Sequence, residues 1–294
     1  MLVIRPDIET AVREGRPVVA LESTLIAHGL PWPINIETAK AAEAAITLAG
    51  ALPATIAVLR GQPTIGLTDD ELDWLTRQPD VMKAGRRDLA VAIAQQLTAG
   101  TTVAGTVALA QRAGIRVFAT GGIGGAHREP WDISADMTEL ARTPVAVICA
   151  GAKSILDLPR TLELLETLSV PVLGYGTDTF PAFYLRTSNE PVTARVDTPE
   201  EVAAVLHAHW HLGGAGVIVA QPVAADVAVD PAEWEKALWQ AEKLAAAKGI
   251  RGKAVTPFLL ARVAEITEGK TLRANQALIV ANARLAGLVA NALR

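Results

Sequence analysis

Apolar, β-branched runs typical of strands alternate with helix-like stretches along almost the whole chain, and this alternation most constrains the fold. The clearest run covers residues 144–150, which follow Thr143 and stop at Gly151. An uninterrupted apolar run of this kind is typical of a strand buried on both faces of a sheet. Strands that alternate with helices predict an α/β fold, a three-layer α/β/α arrangement around a central mixed, largely parallel sheet.

The individual elements follow from periodicity and from capping residues. Strands are predicted at 17–21, 54–59, 116–119, 144–150, 170–174 and 216–220, with a hairpin through 61–66. Helices are predicted at 35–49 with Asn35 as the cap, at 68–75, 102–112, 155–168, 200–210, 231–248, 257–266 and 274–293. No linker rich in Pro, Gly or Ser divides the chain, so we expect residues 1–294 to form one domain.

The composition argues against several classes of function. Half of the 294 residues are hydrophobic and a fifth are charged, which is enough apolar material for a sizeable core. The formal net charge is -4, and no basic stretch alternates with aromatic residues, which argues against a nucleic-acid surface. Cys149 is the only cysteine and cannot form an internal disulfide, which fits a reducing compartment. Because signal-peptide features and membrane-length apolar runs are lacking, we expect a soluble, cytoplasmic protein.

Two titratable side chains follow predicted strands directly. Lys153 lies three residues beyond the 144–150 strand, and Glu22 follows the 17–21 strand with Ser23 and Thr24 beside it. Open α/β sheets bind ligands at the carboxyl ends of their strands. Burial there would disfavour the ammonium form of the lysine and free its amine to attack a carbonyl, and the glutamate could act as a general acid or base. Alternatively, both are solvated loop residues.

Two further clusters suit an anionic group. Lys83, Arg86 and Arg87 place three cations within five positions, which favours a phosphate or carboxylate but equally fits a solvated charge run. Residues 100–106 combine threonines with small residues at a helix start, where hydroxyls and backbone N–H groups could bind an anion. An ordinary threonine-capped helix is the alternative for this turn.

The segment between residues 120 and 136 carries two more patterns. Four glycines within 121–125 allow close backbone approach to a ligand, or simply form a flexible turn. Asp132 and Asp136, with Ser134 between them, could hold a hard divalent cation together with a substrate hydroxyl. Helix capping is the alternative reading of these residues. Together the clusters favour chemistry on a phosphorylated sugar.

At these residues the sequence resembles the pseudouridine-5′-phosphate glycosidase family, also called the indigoidine synthase A-like family. The resemblance runs from about residue 17 to about residue 286. The long stretches 149–158 and 256–262 carry most of its specificity. The remaining matching stretches are 20–24, 27–29, 53–57, 86–88, 119–125 and 132–136.

The resemblance implies reversible cleavage of the C–C glycosidic bond of pseudouridine 5′-phosphate to uracil and ribose 5-phosphate. The implied reaction forms an imine between a lysine, here Lys153, and the ring-opened ribose, with Glu22 as the proton donor. A manganese ion, Mn²⁺, would lie on Asp132 with water completing its shell. The implied substrate contacts are Lys83, Val103 through its backbone, Ser134, Ala135 and Asp136. The family also implies a homotrimer.

Two departures from the family pattern bear on the substrate. Gly85 stands where the family commonly has a serine, and the loop formed by residues 129–131 is shorter than usual, which could alter the metal geometry or the choice of base. Two other functions remain to be separated from this one. An imine-forming aldolase on another sugar phosphate would use Lys153 without needing a divalent ion. A binding module would keep the pocket without turnover and would be indifferent to Glu22→Gln.

Overall fold

The computed structural model describes residues 2–128 and 132–294. The strands in this part of the chain are β1 (Val3–Ile4), β2 (Val18–Leu21), β3 (Leu52–Leu59), β4 (Gln62–Ile65), β5 (Met82–Ala84), β6 (Ala99–Thr101), β7 (Val117–Ala119), β8 (Ala146–Cys149), β9 (Val172–Tyr175), β10 (Ala194–Val196) and β11 (Val217–Ala220). The α-helices are α1 (Pro6–Arg13), α2 (Ile34–Leu48), α3 (Asp69–Thr76), α4 (Arg86–Ala94), α5 (Val103–Arg112), α6 (Ala135–Leu140), α7 (Leu158–Thr167), α8 (Pro199–His211), α9 (Pro231–Ala247), α10 (Val255–Ile266) and α11 (Lys270–Ala292).

These strands join in one sheet with the order β1-β4-β3-β2-β7-β8-β11-β9-β10, while β6 pairs with β3 and with β5. Every pairing of these strands is parallel except those of β3 with β4 and with β6, which are antiparallel. The predicted fold class, a mixed and largely parallel sheet with flanking helices, is therefore confirmed. The predicted hairpin through 61–66 is the β3–β4 pair.

Burial explains why the central strands lack polar residues. Every residue of β2, β8 and β11 is buried, so helices must cover both faces of the sheet. Helix α11 packs against α2 and α8 and lies on β2, β7 and β8, whereas α5 packs against α4 and α6 and contacts β2 and β3. Cys149 is fully buried in β8, and burial raises the pKa of its thiol to about 12. The thiol therefore stays protonated and unreactive, as expected for a structural cysteine.

Helix boundaries differ from the predictions where a side chain has a stronger local role. Asn35 does not cap α2; it lies within the first turn, and its Nδ2 donates to the Ile26 carbonyl at 2.9 Å. Helix α7 begins at Leu158 rather than at 155, because Asp157 caps it and accepts a bond from the Arg160 amide at 3.1 Å. The helix predicted at 68–75 is α3, and Thr68 starts it through a capping box with Glu71.

None of the helices in residues 2–128 and 132–294 combines the length and the apolar character needed to cross a bilayer.

The strand order creates a switch point between β2 and β7. From β2 the chain passes through α2 to β3 on one side, whereas from β7 it passes through α6 to β8 on the other side. The two crossover connections diverge at this point and leave a crevice outside the carboxyl ends of the two strands, the usual ligand position in open α/β sheets. Glu22 follows β2 directly, and Thr120 follows β7 directly.

Candidate active site

A cleft opens at this switch point, the usual ligand position of open α/β sheets. It brings together Glu22, Lys83 and Lys153, three of the residues predicted from the sequence. Its remaining wall comes from the turn after β2, the glycine loop after β7, the segment after β9, and α10 and α11. These residues are Thr24, Leu25, His28, Gly29, Thr120, Gly121, Gly122, Phe183, Thr256, Pro257, Leu260 and Asn275.

Glu22 is largely buried, and its environment favours the protonated carboxyl group. The Thr120 hydroxyl donates a hydrogen bond to Glu22 Oε1 across the switch point. Burial raises the pKa of Glu22 above its ordinary value, and this effect outweighs the charge of Lys153 and the Thr120 hydrogen bond, which both lower it. A carboxyl group with a raised pKa beside a cleft is suited to act as a general acid.

Lys153 reaches the cleft because the chain turns sharply after β8. Gly151 has a φ of +83°, and a Cβ at this position would collide with the Pro181 carbonyl oxygen, so only glycine fits. The Lys153 amide then donates to the Ile123 carbonyl at 3.1 Å, which ties the turn to the loop after β7. Lys153 is partly buried, and its charge acts on Glu22. The predicted amine and the predicted acid thus share one cleft.

The three cationic side chains within residues 83–87 do not face the same site. Lys83 lies in β5 and lines the cleft. Arg86 instead points to Glu139, whose Oε1 accepts from its Nη1 at 2.7 Å, and Arg87 has a largely exposed side chain beside Asp88. Of the three cations that were predicted to bind an anion, only Lys83 therefore lines the cleft.

The threonines of the turn before α5 form internal hydrogen bonds. Thr101 Oγ1 donates to the Ile56 carbonyl at 2.7 Å, and Thr102 caps the helix by accepting from the Gly105 amide at 3.4 Å. The backbone amide of Ala104 donates to Asp136 Oδ1 at 2.9 Å, so a carboxylate of the protein itself occupies the start of this helix. The helix-capping alternative is favoured over an open anion cradle. The substrate contact expected of Val103 stays a prediction.

Asp136 fixes the glycine loop to the start of α6. Its Oδ2 accepts from the Gly124 amide at 2.8 Å, and its own amide donates to Ser134 Oγ at 3.2 Å. A Cβ on Gly124 would lie 2.7 Å from Asp136 Oδ2 and would clash with the Ser134 hydroxyl, which explains the glycine. Ala135 is the first residue of α6. The substrate contacts expected of Ser134, Ala135 and Asp136 stay predictions.

Asp132 precedes α6, so it does not share a helix face with Asp136. It lines a neighbouring cleft with His127, whose amide donates to the Asp132 carbonyl at 2.9 Å. In the described part of the chain, no group of three or more His, Cys, Asp or Glu side chains could hold a metal ion. One carboxylate beside one imidazole fits only an ion that keeps several waters, as Mg²⁺ and Mn²⁺ can. The short loop at 129–131 lies outside the described residues.

Several cleft residues were not assigned a role from the sequence. Thr24 and His28 lie on the turn after β2, while Asn275 comes from α11 and Phe183 from the segment after β9. Phe183 has a φ of +63°, which is strained for a bulky residue, and its ring fills the space left by Gly121 and Gly122. Thr24 and His28 lie in the stretches 20–24 and 27–29 that carry the family resemblance, but no pattern indicates their role. Phe183 and Asn275 join the cleft only through tertiary contacts.

Comparison with known proteins places the chain in a family. Residues 7–292 match the family model for indigoidine synthase A like proteins. The chain is 50% identical to the pseudouridine-5′-phosphate glycosidase of Symbiobacterium thermophilum, covering 100% of this chain and 98% of the relative. It is 52% identical to the enzyme of that name from Alkaliphilus metalliredigens, covering 98% of this chain and 95% of the relative.

Solved structures share the fold over nearly the full length. The prealnumycin C-glycosynthase AlnA, solved in complex with ribulose 5-phosphate, aligns with a TM-score of 0.92 at 40% identity, covering 100% of this chain and 97% of AlnA. An indigoidine synthase A-like protein from Thermotoga maritima aligns with a TM-score of 0.90 at 35% identity, covering 99% of this chain and 95% of that chain.

Proposed function

Because the chain belongs to the indigoidine synthase A-like family, we propose that it reversibly cleaves the C–C glycosidic bond of pseudouridine 5′-phosphate, giving uracil and ribose 5-phosphate. Relatives about half identical over the full chain carry the name of this activity. A more distant relative, named a C-glycosynthase and solved with ribulose 5-phosphate, supports a pentose phosphate as the substrate class here.

The observation that carries the proposal is the shared cleft of Lys153 and Glu22. A carbon leaving group has no oxygen to protonate, so two carboxylates, the usual glycosidase pair, would not suffice. An amine that can add to a sugar carbon and a neutral acid that can protonate a base carbon meet the requirement. The cleft holds both groups, and their charges interact.

The proposed cleavage starts when the neutral amine of Lys153 adds to C1′ of the ribose. The C1′–O4′ bond breaks and O4′ takes a proton, so the ring opens. Glu22 then gives its proton to C5 of the uracil ring. The C1′–C5 bond breaks and its electron pair restores the C5–C6 double bond, while the lysine nitrogen forms an imine with C1′. Water hydrolyses the imine and releases ribose 5-phosphate, and Glu22 regains a proton.

The cleft composition supports the placement of the base. Leu25, Phe183, Pro257 and Leu260 provide apolar walls for the faces of a planar ring. Asn275 is buried at the same cleft and carries both a donor and an acceptor. We therefore place the base of the substrate between these apolar walls, beside Asn275. The ribose phosphate extends towards Lys83 and the start of α6, where the family places its substrate contacts.

Asp132 would hold a divalent ion, manganese by family resemblance, with His127 beside it and water completing the shell. Such an ion would neutralise negative charge on the sugar phosphate. We propose two further properties, a homotrimeric assembly from the family resemblance and a cytoplasmic location from the cysteine content and the sequence pattern. Light scattering of the purified protein tests the first of these.

The direct test is synthesis of the nucleotide. The protein is incubated with uracil, ribose 5-phosphate and Mn²⁺, and the mixture is analysed by mass spectrometry. We expect the condensed nucleotide to form, and we expect chelation before the incubation to reduce its yield. Absence of the nucleotide under these conditions, with folded protein, would reject the proposed reaction. Full activity after exhaustive chelation would favour an aldolase-type reaction that needs no ion.

A further inference from the structure

Two polar side-chain atoms of the cleft wall are buried without a hydrogen-bond partner. They are Thr24 Oγ1 and His28 Nδ1, and among the residues that the structure describes only His209 Nε2 shares this property. Buried polar atoms are nearly always paired, so each exception needs an explanation. Two of these three atoms lie on one short segment that follows Glu22 and lines the cleft. This concentration indicates a ligand contact.

The hydrogen bond at Nε2 defines the state of the His28 ring. Nε2 lies 2.8 Å from the Val81 carbonyl oxygen. A carbonyl oxygen only accepts hydrogen bonds, so Nε2 carries the proton, and in the neutral ring Nδ1 is left as an acceptor. Burial lowers the pKa of His28, and the charge of Lys83 lowers it further. The neutral ring therefore presents an acceptor at Nδ1.

Thr24 offers the complementary group. It stands at the N-cap of the π-helical turn Leu25–Gly29, yet its side chain makes no capping bond. Its hydroxyl is therefore available to donate a hydrogen bond. Turns of π-helix are rare and occur frequently at functional sites. Thr24 is two residues from Glu22, the group that we propose protonates the base.

We propose that Thr24 and His28 recognise the polar edge of the nucleobase and so select a pyrimidine dione. This inference rests on the proposed function. The edge of uracil presents N–H groups beside carbonyl groups, so an N–H faces the acceptor His28 Nδ1 while the neighbouring carbonyl faces the Thr24 hydroxyl. Both protein atoms are buried, so a small shift of the turn that carries them accompanies base binding. The apolar side chain of Leu25, on the same turn, contacts the face of the ring.

A matched pair of histidine variants separates this role from a structural one. His28→Gln can keep a donor near the Nε2 position for Val81 but lacks the acceptor at Nδ1. His28→Asn can place its amide oxygen near Nδ1 but loses the bond to Val81. We expect His28→Gln to raise the KM for uracil in nucleotide synthesis about tenfold, the effect of one ordinary hydrogen bond. His28→Asn should stay within about threefold of the wild-type value.

The threonine is tested in the same assay. Thr24→Val removes the hydroxyl at nearly constant shape, whereas Thr24→Ser keeps it. We expect the valine variant to raise the KM for uracil and the serine variant to leave it near the wild-type value.

Uracil methylated at N1 or at N3 tests the same contacts by changing the base instead of the protein. We expect one of the two methylated bases to be a poor substrate for the wild-type protein. For that base, His28→Gln should cause no further rise in the KM.

Trapping of ribose 5-phosphate on the protein with borohydride keeps this inference separate from the proposed function. We expect all four variants to trap the sugar like the wild type, because they alter only the base side of the cleft. Normal trapping with an unchanged KM for uracil in every variant would overturn the inference alone. A raised KM for uracil in His28→Asn but not in His28→Gln would also overturn it. Equal use of uracil and both methylated bases would do the same. Absence of trapping in the wild type would instead reject the proposed function.

Discussion

At the scale of single residues, the proposed chemistry depends on one carboxyl group with a raised pKa that shares a cleft with one amine. Burial of Glu22 disfavours its charge more strongly than Lys153 and the Thr120 hydroxyl favour it, so the pKa of Glu22 is raised. A raised pKa favours the protonated form of the carboxyl group, which is the form that a general acid needs. The position of Glu22 at the end of β2 therefore places it at the cleft, and its burial there raises its pKa as the proposed role of general acid requires.

Glu22→Gln tests this acid. The amide keeps the shape and can still accept the Thr120 hydrogen bond, but it has no proton to give to the base carbon. We expect nucleotide cleavage to slow by about 10²–10⁴-fold, the usual contribution of a general acid. Steady-state kinetics measure the effect, and trapping of ribose 5-phosphate on Lys153 should persist as the control. A variant with wild-type turnover would show that the proton comes from another group.

The same substitution should change the dependence of stability on pH. The folded pKa of Glu22 lies above its ordinary value of 4.5, so its contribution to stability is fully present below pH 4.5 and is lost as the pH rises through the folded pKa. Glutamine avoids this loss. We expect the Tm of Glu22→Gln to exceed that of the wild type by an amount that grows from pH 4 to pH 8. A difference in Tm that is independent of pH would contradict the raised pKa.

At the scale of elements, short segments after the strands hold the site together through buried polar contacts. Asp136 at the start of α6 binds the amides of Ala104 and Gly124, and thereby joins α5 to the glycine loop. Glu139, later in α6, is only 1% exposed and accepts hydrogen bonds from Arg86 and Arg142. Helix α6 therefore links α4 and α5 to the loop that borders the cleft.

The buried carboxylate of Glu139 should contribute far more to the free energy of unfolding than a surface ion pair does. Glu139→Ala leaves the Thr143 hydroxyl without its acceptor, although both arginines can still reach water. We expect a loss of about 2 kcal/mol in the free energy of unfolding, measured in urea. The control is Asp73→Ala in α3, which breaks an exposed pair with Arg77 and should cost less than about 0.5 kcal/mol. Equal losses in the two variants would contradict the assigned role of Glu139.

At the scale of the whole molecule, the sequence pattern predicts those parts of the fold whose signal is long and local. The buried strand around Cys149 and the long helices could be predicted because many residues share one periodicity. Strands β5 and β6 have three residues each, which is too short for a pattern, and they are defined only by pairing with distant segments.

The candidate site likewise contains residues that could be predicted from the sequence and residues that could not. Glu22 and Lys153 could be placed at the cleft from the sequence, because each follows a strand that the pattern reveals. The partner of Arg86 could not be predicted, since Glu139 lies 53 residues further along the chain. Likewise, nothing local distinguishes the unpaired atoms of Thr24 and His28 from ordinary loop side chains, because hydrogen-bond satisfaction is a property of the folded chain.

The central claim is that the amine of Lys153 forms a covalent imine with the opened ribose. The most direct measurement is to incubate the protein with ribose 5-phosphate and borohydride, digest it, and locate the adduct by peptide mass spectrometry. We predict the reduced sugar phosphate on the peptide that carries Lys153, and neither adduct nor turnover in Lys153→Arg, which keeps the positive charge without a nucleophilic amine. Turnover that persists in Lys153→Arg, or an adduct found on another lysine, would contradict the account.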